Sequence, residues 1–208
     1  MRIGRSNARV RVGLLRRDEV PFLLELWSQP EVMRYADELR TLRGWTRDAP
    51  PDEAWRAYAA RRAELGPLYS QLVLRTPEGS PLGESFVAPL PDGFGFGSWR
   101  KREDVIAVMG DVKLAPTHWG QGLASEGMRK VTRWVFLRTP CELFVVPPHR
   151  RNPTAERVYE KAGFVLYEPM ARARGHRVMV LTRSRFERLH QTNAASARLE
   201  QDGTNRPG

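Results

Sequence analysis

The 208-residue chain contains a single cysteine, Cys141, which rules out an internal disulfide and any multi-cysteine zinc site. It has no run of about 18 apolar residues, as a membrane-spanning helix would require. The N-terminus, MRIGRSNARVRVGLL, lacks the apolar core of a secretory signal. These absences lead to an expected intracellular, cytoplasmic setting with no membrane partner. Lysine is scarce too: Lys101, Lys113, Lys130 and Lys161 are the only four, so arginine carries most of the formal charge of +10. Arginines spread along the chain, with pairs at 16–17, 61–62 and 150–151. A basic surface can attract nucleic acid, a phosphorylated cofactor or another anion. The chain has no aromatic-plus-basic RNP pattern, zinc-finger spacing or basic heptad helix. The charge is therefore assigned to solvated arginine, and nucleic acid is not expected as a partner.

The segments that are present alternate between strand and helix patterns. RVRVGLL (9–15) reads as a strand, and Asp18 can cap a helix over EVPFLLELW. A turn and short helix over SQPEVMRYAD come next, followed by a loop over 40–51. Asp52 then caps a helix over EAWRAYAARRAEL, which Gly66-Pro67 stops. Strands at 68–75 and 83–90 flank a hairpin turn, TPEGSP. PDGFGFGSW is too glycine-rich for regular structure, and a strand follows at 104–115. LASEGMRKVTRWVFLR reads as a helix with one buried face, ELFVV (142–146) as a short buried strand. Asn152-Pro153 opens the helix TAERVYEKA, and FVLYE and RVMVLT close the sheet. The expectation is one α/β domain over 1–190, a mixed but mostly antiparallel sheet of six to seven strands with about four helices. A polar, aperiodic tail over 191–208 is expected to be disordered.

PTHWGQGLASEG (116–127) places Gly120 and Gly122 between a strand and a helix. Such a junction exposes unpaired N–H groups at a helix start, which suit a pyrophosphate; a ligand-free turn is the other reading. A P-loop needs Lys-Ser/Thr after its last glycine, but Leu123-Ala124 follows here. The dinucleotide fingerprint needs a glycine where Ser125 stands.

LAPTHWGQGLAS resembles motif A of the GNAT superfamily of acyl-CoA-dependent N-acetyltransferases. Leu114 and Pro116 match the strand end, Gly120 and Gly122 the glycines, and Ala124 the last small residue. Trp119 replaces the usual Gln/Arg, as it does in the ribosomal-protein N-terminal acetyltransferase branch. NPTAERVYEKAGF (152–164) resembles motif B at Asn152, Ala155, Tyr159, Gly163 and Phe164. Other stretches are similar to aminoglycoside 6'-N-acetyltransferases and siderophore-type acyltransferases.

The resemblance implies acetyl-CoA as cofactor and direct attack of an amine on its thioester. The N–H groups of Gln121, Gly122, Leu123, Ala124 and Ser125 would take the pyrophosphate, with Trp119 and Gly120 leading into the turn. The strand edge at Val112, Lys113 and Leu114 would pair with the pantetheine amides, and Asn152 would contact the same arm or simply cap its helix. The strand carrying that edge and the next strand would splay to form a slot. Tyr159 reads either as the acid for the leaving thiol or as a core tyrosine. Asp111 reads either as the base or as a hydrogen-bonded residue after Gly110. Glu84 is a second base candidate, and Glu126 a helix-dipole partner. His118 and His149 read as a turn histidine and a residue at the slot mouth. Trp27, Tyr35, Trp45, Phe94, Phe96 and Trp99 are candidates to line the acceptor pocket. A small-molecule or protein amine is the expected acceptor. A siderophore-type hydroxylamine acyltransferase and a non-catalytic acyl-CoA-binding module are the alternatives.

Overall fold

The computed structural model describes residues 8–36, 49–170 and 175–191. Strand β1 (Arg11–Leu14) enters α1 (Val20–Ser28) through a 3₁₀ turn at Arg17–Glu19, and α2 (Pro30–Met33) follows. Asp18 lies inside that turn and makes no cap; the N-cap position is Arg16. Most of the loop expected at 40–51, with Trp45, lies outside the described residues, as does the tail beyond Gln191. Helix α3 (Pro51–Leu65) starts one residue before Asp52, so Asp52 is not its cap; Arg17 holds the carboxylate instead, at 2.9 Å.

The hairpin of β2 (Ser70–Arg75) and β3 (Pro81–Pro89) forms where expected. The glycine-rich stretch after it folds into a small ribbon, β4 (Gly95–Phe96) and β5 (Trp99–Arg100). Then come β6 (Ala107–Gly110), β7 (Lys113–Leu114), α4 (Leu123–Arg138) and β8 (Leu143–Val146). Helix α5 (Pro153–Lys161), β9 (Val165–Leu166) and β10 (Met179–Thr182) lead to a further helix over 183–191. Residues 183–190 of that helix carried no assignment from the sequence, and Gln191, expected in the tail, is its last described residue.

One sheet runs β1-β2-β3-β6-β8-β10-β9, with β7 also paired to β3. Every pairing is antiparallel except β6 with β8. The sheet has eight strands because the stretch read as one strand at 104–115 is two. Val87↔Gly110 on one side of the gap and Glu84↔Lys113 on the other keep the same register. No residue is inserted, and the ladder simply lapses at Asp111-Val112. The parallel ladder to β8 ends at Met109↔Val145, while β8 continues against β10 to Val146. Beyond Met109 the two strands part, and the far edge of β7 has no strand partner among the described residues.

Strand alternation sorts side chains to two layers. Leu72, Leu74, Leu82, Val87 and Leu114 pack with Met128, Val131 and Val135 of α4 and Tyr159 of α5. Val73 and Phe86 pack on the other face with Leu23, Leu26 and Trp27 of α1 and Tyr58 of α3. Each large apolar side chain buried this way contributes about 1.5–3 kcal/mol. A smaller cluster under the β4–β5 ribbon takes up Phe96 and Trp99.

Glu19, buried at the mouth of α1, lies on the second of these faces, where Val73 and Arg75 of β2 point. Arg75 of β2 grips it from Nε (2.5 Å) and Nη2 (2.6 Å), and the Arg16 N–H donates to it at 2.9 Å. Burial pushes the Glu19 carboxyl up, but hydrogen bonds and charge from Arg75 and Arg16 carry it below its ordinary 4.5. A carboxyl depressed by folding contributes stability that is complete above its unfolded pKa and lost as pH falls through the folded one. Urea unfolding should therefore show native stability falling below about pH 4, and Glu19→Gln should flatten that fall. An unchanged pH profile in the variant would show that Glu19 does not carry it.

Candidate active site

The glycine junction makes a tight, open turn. Gly120 (φ 74°) and Gly122 (φ 75°) both adopt the left-handed conformation that favours glycine, and Gly122 is the N-cap of α4. A Cβ on Gly120 would meet nothing within 4 Å among the described residues, and one on Gly122 only Arg9 Nη2, at 3.6 Å. Backbone strain and open space, not crowding by the protein, set the need for glycine here. None of the N–H groups from Gly120 to Ser125 donates to an acceptor among the described residues. The first bond of the helix runs from the Glu126 N–H to Gly122 O, at 3.2 Å.

Two contacts brace this cradle. Trp119 donates its indole N–H to Leu114 O (2.8 Å), tying the turn to the end of β7 while its ring stays half exposed. Arg9 donates to Gln121 O (2.9 Å) and faces Glu126 at 3.4 Å, and Glu126 accepts the Val10 N–H at 3.0 Å. Glu126 thus pins α4 to the approach of β1. Arg9 places a guanidinium beside the turn, a feature that sequence reasoning missed because 112 residues separate it from Gln121.

Asp111 and Lys113, two residues apart, point to the same face of the sheet, as does Glu84 across from Lys113. Lys113 Nζ contacts Asp111 Oδ2 at 2.5 Å and Glu84 Oε1 at 3.1 Å, and all three are buried. Glu84 accepts also from Trp27 Nε1 (3.1 Å) and from Gln71 Nε2. Ser85 Oγ donates to Asp111 O at 2.6 Å, and the Phe86 N–H reaches Asp111 Oδ1 at 3.5 Å. Gly110 makes the approach possible, since a Cβ there would meet Phe86 O at 2.4 Å. The structure thus brings Asp111, Glu84 and Lys113 together. The Lys113 side chain, noticed in the sequence only for its backbone, joins the two carboxylates.

Asp111 opens onto a cleft of about 780 Å³ between the end of α3, β3 and the β3–β4 loop. Tyr69, Phe86, Leu90, Phe94 and Met109 are among the residues of its wall. Of the aromatic residues proposed from sequence, Phe94 lines it, whereas Trp27 is buried against Glu84. Tyr35 stacks on His149 (5.1 Å), which packs edge-on against His176 (5.3 Å). His118 ends the 3₁₀ turn at Pro116–His118.

Tyr159 lies on the opposite side of the sheet, buried with Leu114 and edge-on to Phe164 at 5.8 Å. Asn152 caps α5 by accepting the Ala155 N–H at 3.1 Å, which leaves its amide NH₂ uncommitted by that bond. Cys141 is buried, and burial pushes its thiol up to about 12; it has no nucleophilic character near neutral pH.

The GNAT acetyltransferase domain model matches residues 9–165. The chain belongs to the GNAT acetyltransferase family. No curated protein matches it in sequence. Among solved structures, spermidine N-acetyltransferase from Vibrio cholerae in complex with CoA and spermine is similar at 17% identity and TM-score 0.64, covering 86% of this chain and 99% of that one. The aminoglycoside acetyltransferase AAC(6')-Ib in complex with coenzyme A and kanamycin is similar at 21% identity and TM-score 0.62, covering 86% and 98%. The same enzyme with AcetylCoA gives 20% identity and TM-score 0.64, covering 86% and 97%. In this GNAT domain the glycine turn, the open β7 edge and the ion-pair cluster all meet where the sheet parts.

Removing one partner of a buried ion pair strands the other charge. Lys113→Met, which leaves Glu84 and Asp111 facing each other, should lower unfolding free energy by about 3–5 kcal/mol in urea titrations. An unchanged midpoint would mean that the cluster is not held by charge.

Proposed function

We propose that this GNAT acetyltransferase moves an acetyl group from acetyl-CoA directly to a primary amine. Asp111 receives the amine and Tyr159 serves the leaving thiol. One observation carries the reading. An N–H-lined turn and a strand edge unpaired among the described residues lie on one continuous path, and that path ends at a buried carboxylate that faces a cleft. The solved neighbours named above carry CoA or AcetylCoA together with amines, which supports an amine acceptor here.

The residues present fit acetyl-CoA. Unpaired N–H groups of Gln121, Gly122, Leu123, Ala124 and Ser125 would hold the pyrophosphate, helped by the α4 dipole. The open space over Gly120 and Gly122 admits a phosphate close to the backbone. Arg9 adds a guanidinium to the same cradle, and Trp119 keeps the turn docked on Leu114. Backbone groups of Val112, Lys113 and Leu114 would pair with the pantetheine amides as a further strand would. The Asn152 amide NH₂ would contact the same arm. Acetyl-CoA, when bound, supplies the activated thioester.

The chain's own residues then manage two protons. Asp111 orients the incoming ammonium and accepts its proton, directly or through water. Lys113 holds the Asp111 carboxylate in place, and Glu84 holds Lys113. Both Glu84 oxygens already accept from Trp27, Gln71 and Lys113, so Glu84 acts as a positioning residue, not as the base. Tyr159, on the other face, would give a proton to the departing sulfur. Separate faces keep the acid from neutralising the base. A cytoplasmic location belongs to the same reading.

Acetyl-CoA should raise the thermal midpoint of the parent, and Gly122→Glu, which fills the cradle with an anion, should abolish that rise. Stabilisation without thiol release on any amine would instead mark an acyl-CoA-binding module. Tyr159→Phe should lower kcat by about 10²-fold with the KM for acetyl-CoA unchanged, measured by thiol release. An unchanged kcat would return Tyr159 to the core.

A further inference from the structure

Strand β1 ends the sheet, and among the described residues only β2 pairs with it as a strand. The Leu15 N–H donates to Gln71 O at 2.9 Å, which sets the alternation along β1. Antiparallel pairing then turns the N–H and C=O of Arg11 and Gly13 toward β2, and those of Val12 away from it. Neighbours along that outer edge are already engaged: Glu126 accepts the Val10 N–H, and Arg75 donates to Leu14 O. Val12 keeps a donor and an acceptor side by side, the pair that a further strand would use.

Beside that edge runs one stripe of α4. Lys130, Arg133, Leu137 and Arg138 share a helix face by their spacing. With Arg11, Val12 and Trp134 they line a groove of about 440 Å³, and no carboxylate is part of its lining. Arg11, Arg133 and Arg138 are exposed and make no hydrogen bond or ion pair among the described residues. Arg11 acts on Glu78 only as a charge through space, and Lys130 faces Glu126 at 3.8 Å. Leu137, in the midst of these cations, is 63% exposed. Arg133 follows Lys130 by three residues and Arg129 by four, spacings at which like charges weaken a helix. The stripe therefore does not serve the stability of α4.

We propose that this groove docks an extended acidic peptide of a partner protein, which adds to β1 as a further strand. Its carboxylates would meet Arg11, Arg133 and Arg138, and an apolar side chain would cover Leu137. Its backbone would pair with the N–H and C=O of Val12. Cations, an apolar spot and a strand edge all find their complement in this one class of ligand. Nucleic acid would use the cations but give the Val12 edge no partner. Nor does the groove offer a ring for a base to stack on, since Trp134, its one aromatic lining residue, is buried. A second copy of this chain would bring the same cations against the groove, in a protein of net charge +10. The groove is also separate from the cofactor cradle: Leu137 lies about 20 Å along α4 from Gly122.

The test uses the full chain and fluorescence anisotropy with a labelled, end-capped octapeptide, Glu-Leu-Asp-Glu-Val-Asp-Leu-Glu. It should bind about 100-fold more tightly than the same peptide with lysine at every acidic position, and more weakly as salt rises. Arg133→Glu combined with Arg138→Glu should weaken binding about 30-fold. Both side chains are exposed, and an unchanged thermal midpoint shows that the double variant is folded. N-methylation of the central peptide amides should cost about tenfold, a loss that charge attraction alone would not produce. No binding of the acidic probe at millimolar concentration overturns the proposal. Equal binding of the lysine probe, of the N-methylated probe or by the double variant does the same. Tighter binding of an oligothymidylate that displaces the peptide would assign the groove to nucleic acid and overturn it too. So would a dimer of the parent in sedimentation that the double variant dissolves, which would assign the groove to a second copy.

Discussion

A buried ammonium shared by two carboxylates is the constraint on which this site depends. Taking Lys113, Asp111 and Glu84 out of water is costly for each, and only close geometry with further hydrogen bonds offsets it. Glu84 meets that demand by accepting from Trp27 and Gln71 as well as from Lys113. Those contacts reach from β3 to α1, β2 and β7. The cluster therefore locks four elements in relation to one another and sets where Asp111 can stand.

The same lock explains how β7 can leave its edge free. A strand that parted from β8 with nothing else to hold it would fray. Here Lys113 and Leu114 pair with β3 on one side, and the Lys113 side chain ties the strand down from below. Trp119 closes the far end by donating to Leu114 O. The free edge is thus rigid without being paired, which suits a surface meant to receive another backbone. Glu126, accepting from Val10 and facing Arg9 and Lys130, holds the start of α4 against that edge.

What could be read from the sequence was local. Gly120 and Gly122 at a strand-to-helix junction, and Asn152 before Pro153, announce their roles through neighbours a few residues away. Both appear in the structure as a left-handed turn and an N-cap. The mostly antiparallel sheet followed from hairpin signals in the same way. The ion-pair cluster was not legible, because Trp27, Gln71, Glu84 and Lys113 are brought together only by sheet register and α1 packing. Asp111-Val112 continues the apolar alternation, so the lapse in the ladder leaves no mark in the pattern. The helix caps at Asp18 and Asp52 failed for another reason. Each carboxylate has a nearby arginine, Arg16 at 3.5 Å and Arg17 at 2.9 Å, and ion pairing took the place of capping. Of the aromatic residues, Trp27, Phe96 and Trp99 pack in the core and under the ribbon, and the cleft beside Asp111 draws on Tyr69 and Phe86 of the strand region, whose places the sequence pattern does not mark.

The formal charge of +10 and the carboxylate of Asp111 act over different distances. At long range the arginine-rich surface favours anions, which suits the phosphates of CoA and disfavours a cationic acceptor. Salt screens that field beyond about 8 Å. Inside the cleft, an ammonium about 4 Å from Asp111 gains about 4 kcal/mol at the effective dielectric of a protein site. A carboxylate acting at short range can thus hold an amine in a protein whose long-range field favours anions.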